Sequence, residues 1–215
     1  MDYFRRRVGR RREQSSGFRN IIVSARFDPV EIMSIRHCAN SSMRASISFK
    51  LPDKITFAGV QVPLDNWQVR ERIEYEFYQF LEDQGESIIL AKRTGRCFPP
   101  AERQLAETGL PDDLKYMLLV ESKCISAAYS KAKASGPWQF IPSTGRRYRL
   151  KSDAVRDERR NLEMSTEAAV KYLKYLKDFQ DNDWFLAMAS YNAGEERIRK
   201  LLKEQKITDY WKMHG

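Results

Sequence analysis

From Val62 onward, apolar residues recur at helical spacing with polar residues between them. Val69, Ile73, Phe77 and Phe80 fall three or four apart, which predicts an amphipathic helix with Asp65 as its N-cap and Gly85 as its end. Ser87 to Arg93 reads as a short helix, broken by Thr94-Gly95 and Pro99-Pro100; Ala101 to Glu107 reads as another, stopped at Gly109. Next, Pro111 suits a first helical position, and Asp112 and Asp113 suit a first turn, where the helix dipole favours negative charge. Leu114, Met117, Leu118 and Glu121 follow on one face. Ile125 to Ser135 reads as loop, and Gly136, Pro137, Pro142 and Gly145 allow only short helical turns. Residues 151–163 are charged and irregular. Ser165 is expected to cap a helix striped by Ala169, Tyr172, Leu173, Leu176 and Phe179. Asp181-Asn182-Asp183 breaks the chain and recaps a helix whose face is Trp184, Ala187, Met188 and Tyr191. Asn192-Ala193-Gly194 ends it, and Glu195 opens a last helix through Ile198, Leu201 and Leu202.

Residues 1–60 hold no such period. A short strand fits between Ile47 and Phe57; the rest reads as a basic, disordered or loosely attached extension. The expected division is therefore an extension over 1–60 and a mostly α, multi-helix domain over 61–215. There is no internal repeat.

Charge sharpens this division. The chain of 215 residues carries a net +9. Residues 1–60 hold 12 Lys/Arg and 5 Asp/Glu, and residues 61–215 hold 26 and 24, so the basic character is assigned to the front segment. Nucleic-acid binding would rest on that arm and is not expected. No apolar run approaches the roughly 18 residues of a membrane span, and the basic start has no apolar core of a secretory signal. Cys38, Cys97 and Cys124 form no CxxC pair, and their odd number gives no disulfide framework; Cys124 reads as a small buried side chain. His37 and His214 stand near opposite ends, which argues against a Ser–His–Asp triad or a histidine metal site.

Carboxylates are left to carry any chemistry. Glu121 closes an apolar stripe, and burial there disfavours its charged form, as a general acid requires. A helix-end Glu turned out to solvent is the plainer reading of that residue alone. Ser122 has an alternative as a side chain bonded back to a helix carbonyl. Trp138 and Tyr191 have alternatives as plain core.

Three segments occur in order: Glu121-Ser122, GPWQFIPSTG from Gly136, and SYNAG from Ser190, with DERR at 157–160 between the last two. Together they resemble the lytic transglycosylases of the goose-type lysozyme superfamily, glycoside hydrolase family 23, and within it the membrane-bound lytic murein transglycosylase D type. The resemblance covers roughly Val62 to Trp211. It implies a lysozyme-like helical fold, peptidoglycan glycan strands as substrate and partner, association with a membrane or cell-wall surface, the cell envelope or periplasm as location, and no cofactor or metal. It implies Glu121 as the catalytic acid and then base, Ser122, Gln139 and Asn192 as glycan contacts, and Tyr191 as a holder of the Glu121 carboxyl. One carboxylate then suffices, because the muramic acid C6 hydroxyl attacks C1 and no water enters. Asp153, Asp157 and Glu158 are read as solvated or as salt-bridge partners.

The sequence departs from the pattern at Pro137, where the family has Leu, Met or Ile. The sequence reaches Gly215 soon after DYWKMHG, so the further C-terminal tyrosine that the family often has to contact the catalytic Glu is read as missing, and no lysin-motif repeats follow. These departures lead to the expectation of a truncated or altered member. A catalytically weak glycan-binding protein and a hydrolytic muramidase are the alternatives.

Overall fold

The structure is a computed structural model that describes residues 51–82 and 84–213, without the side chains of 82 and 84. Most of the expected extension, with Cys38 and His37, and also His214, lies outside the described residues.

The described part of the front segment is packed into the domain. Thr56–Phe57 (β1) pairs antiparallel with Val60–Gln61 (β2), and Leu51, Ile55 and Phe57 are buried in the common core. The two-residue turn is Ala58-Gly59, both at positive φ. The Ala58 N–H donates to the buried Asp113 carboxylate at 2.8 Å, tying the hairpin to the segment that leads to Glu121.

Seven α-helices follow among the described residues: Trp67–Glu82 (α1), Gln84–Glu107 (α2), Met117–Ser122 (α3), Pro142–Arg147 (α4), Leu162–Phe179 (α5), Trp184–Ala193 (α6) and Glu195–Gln205 (α7). In α1 the predicted stripe is seen, with Val69, Ile73 and Phe77 buried. Its N-terminal bond goes to Asn66 instead of Asp65, since the Gln68 N–H donates to Asn66 Oδ1 at 3.0 Å.

The two short helices expected over 87–107 are one helix. Pro99 and Pro100 remove two ladder donors without breaking α2. Cys97, Ala101 and Leu105 on either side of them are buried, and that packing offsets an interruption of about 3 kcal/mol per proline. Ser165 is likewise not a cap. Helix α5 starts one turn earlier, where Asn161 Oδ1 accepts from the Met164 N–H, and the Ser165 hydroxyl bonds back to the Asn161 carbonyl. Asp183 caps α6 as expected, accepting from Phe185 and Leu186 N–H. Trp184 to Ser190 is buried on every side, so α6 is the central helix, with α5 and α7 against it.

Candidate active site

Glu121 is the penultimate residue of α3. The approach is a 3-10 turn, Asp112–Tyr116, that passes directly into α3. Leu114, Met117 and Leu118 are fully buried on the face that Glu121 shares, as the spacing predicts. The helix stops at once, because Lys123 and Cys124 both take left-handed φ, near +54° and +56°. Three links bind this stop to α2: a disulfide from Cys124 to Cys97, an ion pair from Lys123 to Glu86, and an Arg93 guanidinium donating to the Lys123 carbonyl at 3.2 Å. The disulfide corrects the reading of Cys124 as an unbonded core side chain. An odd count forbids complete pairing and says nothing against one pair.

The Glu121 side chain is half-buried as a whole, but its Oε1 is fully enclosed and has no hydrogen-bond partner among the described residues. Burial raises its pKa to about 7. At neutral pH a large share of Glu121 therefore carries its proton.

Tyr191 stands beside it from the last turn of α6. Burial pushes its hydroxyl well above the ordinary tyrosine value, with the Glu121 charge and Tyr172 adding to the effect. It stays a neutral donor, and it donates to the Trp138 carbonyl at 2.6 Å. That single hydrogen is therefore not available to the Glu121 carboxyl in this arrangement. The Tyr191 ring is held 5.2 Å from the Tyr172 ring and 6.3 Å from Phe140 between centroids. Tyr172 in turn donates to Glu195 Oε2 at 3.3 Å, and Arg147 reaches Glu195 Oε1 at 3.1 Å.

The other expected contacts fall as follows. Ser122 is buried, and its hydroxyl donates to the Leu118 carbonyl at 3.1 Å, the back-bonded alternative. Gln139 sits at φ +50°, with its amide nitrogen donating to the carbonyls of Gly136 (2.9 Å) and Ala128 (3.3 Å). Its nitrogen braces the loop, and its amide oxygen is the end left for a ligand. Asn192 is exposed, next to Tyr191 at the end of α6. Trp138 is core, fully buried with its indole N–H on Thr166 Oγ1 at 2.9 Å.

The DERR run builds the wall of this loop. Arg159 is 5% exposed, and its guanidinium grips Asp157 through two bonds of 2.8 Å and donates to the carbonyls of Lys133 and Phe140. Asp157 is held below its ordinary pKa, chiefly by that Arg159 bond. Glu158 is buried on the Lys151 N–H and paired with Arg156. These carboxylates are structural partners, one of the two readings their sequence allowed. Gly136 is required here: its φ is +85°, and a Cβ would come within 1.7 Å of the Arg159 carbonyl oxygen. Sequence reasoning missed the Cys97–Cys124 bond, the Arg159 clamp and the Glu195–Tyr172 contact. Only the DERR run, two acids followed by two arginines, gave a signal.

Among the described residues no His, Cys, Asp or Glu cluster suits a metal ion. The arrangement offers one protonatable carboxyl with an enclosed oxygen, beside the neutral Tyr191.

Residues 99–214 match the family model described as Transglycosylase SLT domain, more than half of the chain. The chain belongs to that family. Two curated relatives, both "Membrane-bound lytic murein transglycosylase D", from Escherichia coli K12 and Escherichia coli O6:H1, are 40% identical over 114 residues, 51% of this chain and 25% of theirs. A "Putative tributyltin chloride resistance protein" of Alteromonas sp. is 33% identical over 103 residues, 48% of this chain and 50% of that one. The chain thus spans a quarter to a half of the length of these relatives.

Proposed function

We propose that this chain cleaves the β-1,4 bond between N-acetylmuramic acid and N-acetylglucosamine in peptidoglycan without hydrolysis, leaving a 1,6-anhydromuramic acid end. The observation that carries the proposal is the solitary Glu121 carboxyl, with its pKa near 7 and an unpartnered buried oxygen. Membership of the SLT family and the murein-cleaving names of its relatives support it. Glu121 gives its proton to the glycosidic oxygen as the bond to C1 breaks. The resulting carboxylate takes the proton of the muramic acid C6 hydroxyl as that oxygen bonds to C1. The acid is regenerated and no water is consumed, so a second carboxylate is not needed, unlike most glycosidases. Asp157 and Glu158 are committed to Arg159, Arg156 and Lys151 and are poor substitutes for one. Gln139, through its amide oxygen, and the exposed Asn192 are the glycan contacts in this reading; Ser122 and Tyr191 support the site from behind, bonded to Leu118 and Trp138.

The cell envelope is the proposed place of action. Disulfides persist in oxidising compartments, and Cys97–Cys124 suits one. The relatives' membrane-bound name agrees with this. No helix among the described residues is long and apolar enough to cross a membrane.

A second reading, glycan binding with little turnover, is favoured by two bonds: Ser122 is spent on Leu118 and Tyr191 on Trp138. Digestion of purified sacculi followed by mass spectrometry separates the readings. Anhydro-muramyl fragments are expected. Fragments heavier by one water would mean a muramidase, and retention on sacculi without soluble fragments would mean a binding protein.

A further inference from the structure

The positive charge of the folded part is not spread evenly. Residues 131–160 carry nine Lys/Arg against three Asp/Glu, a surplus of six, while residues 61–130 carry eight against twelve. The fold gathers this surplus into one surface. Arg159 bonds the Lys133 carbonyl, Arg160 donates to Ser135 Oγ at 3.1 Å, and Glu158 accepts from the Lys151 N–H at 2.7 Å. Backbone bridges join Ser135 to Phe140 and Ser152 to Asp157. The segments 131–135, 146–151 and 156–160 are therefore one stitched surface.

All three acids are occupied within it. Asp157 holds Arg159, Glu158 holds Arg156, and Asp153 accepts the N–H groups of Val155 and Arg156. Arg147 is paired with Glu195. Lys131, Lys133, Arg146, Arg149 and Lys151 are exposed and have no acidic partner among the described residues. The surface shares its loop with Gln139 and with Trp138, whose carbonyl holds Tyr191 beside Glu121.

We propose that this surface recognises the carboxylates of the peptide stems carried by the glycan, so that the preferred substrate is stem-bearing peptidoglycan and not bare glycan. The inference rests on the glycan-cleaving reading of the Glu121 site. Each muramic acid at a scissile bond bears a lactyl-linked peptide with several free carboxylates. A strand seated at Glu121 holds such stems within reach of the loop that shares Gln139. Exposed cations without internal partners attract a polyanion over about a Debye length, ~8–10 Å at physiological salt. An anionic membrane or a nucleic acid would meet the same charges, but neither would explain their placement on the loop of the glycan site.

The test is retention of protein on bead-coupled sacculi, intact or stripped of stems by an N-acetylmuramoyl-L-alanine amidase, which removes the cross-links and leaves only the lactyl carboxylate on each muramic acid, using Glu121→Gln protein so that cleavage does not intervene. Intact sacculi should bind roughly tenfold better at low salt, the effect of a few exposed ion pairs, and the gap should close at high salt. Adding Lys131→Gln, Arg146→Gln and Lys151→Gln should abolish the gap and leave binding to stripped sacculi unchanged; all three side chains are exposed, and a wild-type circular dichroism spectrum checks that the variant is folded. Equal binding of intact and stripped sacculi overturns the inference and leaves the glycan site standing. So does a preference that survives the triple substitution. Failure to bind either form overturns the inference together with the glycan reading. If phosphatidylglycerol vesicles or duplex DNA, and not stems, show the triple-dependent, salt-sensitive binding, the partner class is wrong.

Discussion

Glu121 is a carboxylic acid made by its surroundings. Its pKa near 7, against 4.5 for an ordinary glutamate, comes from burial, not from a neighbouring charge. As an acid it should work best protonated, so kcat/KM should fall about tenfold per pH unit above pH 7, read from a pH profile on soluble glycan strands. The same shift has a stability consequence. The folded state holds this proton more tightly than the unfolded chain, so ionisation is penalised in the fold. The penalty is absent below about pH 4.5, grows between 4.5 and 7, and is complete above 7. Glu121→Gln removes it. The variant should lose ~10²–10⁴-fold or more in turnover. It should gain stability at pH 8, by at most about 3 kcal/mol, and gain none at pH 4, measured by urea denaturation at both values. Equal stability changes at the two pH values would argue against a buried, proton-holding Glu121. Gly136 makes the second prediction at this scale. Gly136→Ala should cost more than the ~1–3 kcal/mol of strained backbone alone, because the Arg159 carbonyl occupies the space of the new methyl. A denaturation midpoint equal to wild type would contradict that close approach.

At the scale of elements, α3 has only six residues, too few to hold a helix by itself. Its geometry is imposed by Leu114, Met117 and Leu118 beneath it and by the links from α2 at its end. The Cys97–Cys124 bond closes a loop with a sequence separation of 27, worth roughly 3–4 kcal/mol in chain entropy. The Cys97→Ser/Cys124→Ser variant should lose about that much stability. It should also turn over more slowly than wild type at a temperature where both remain folded, since Glu121 stands three residues from Cys124. Near-identical kcat would show that packing alone positions the carboxyl.

Across the whole molecule, helices with a clean stripe were legible in the sequence. The face of α1, the Asp183 cap of α6 and the Gly194 stop were read from periodicity and capping chemistry. Elements decided by tertiary contacts were not. The persistence of α2 through two prolines depends on the core beneath it, and the start of α5 at Asn161 was hidden by a plausible Ser165. The site was readable in part. Glu121 showed as a carboxylate on an apolar stripe, and its neighbours came from the motif resemblance. Nothing in the spacing said that the Tyr191 hydrogen goes to Trp138 or that Arg159 is buried. Residues 51–60 gave no sign of their place in the core, because the two-residue strands around Ala58-Gly59 are too short to show a period. The comparison is between chains starting at residue 51 and at residue 61. One starting at 61 loses buried Leu51, Ile55 and Phe57, and loss of a buried Phe alone costs about 3–5 kcal/mol. Thermal melting of the two truncations should differ by well over 5 °C; overlapping melts would return residues 51–60 to the extension.

The Cys97–Cys124 bond also has an order in time. A chain delivered N-terminus first presents Cys38, then Cys97, then Cys124, and only much later Tyr191. When Cys38 and Cys97 pair first, the bond beside Glu121 is reached by exchange: the Cys124 thiolate attacks the Cys97 sulfur and the Cys38 thiolate leaves. Thiol exchange is slow next to helix formation, seconds to hours against about a microsecond. The acid site would then be completed by a redox step after the rest of the helices have formed. Cys38→Ser should shorten the recovery of activity from reduced, unfolded protein in a glutathione buffer and leave the final activity unchanged. Recovery at the wild-type rate would mean that Cys38 never intercepts Cys97.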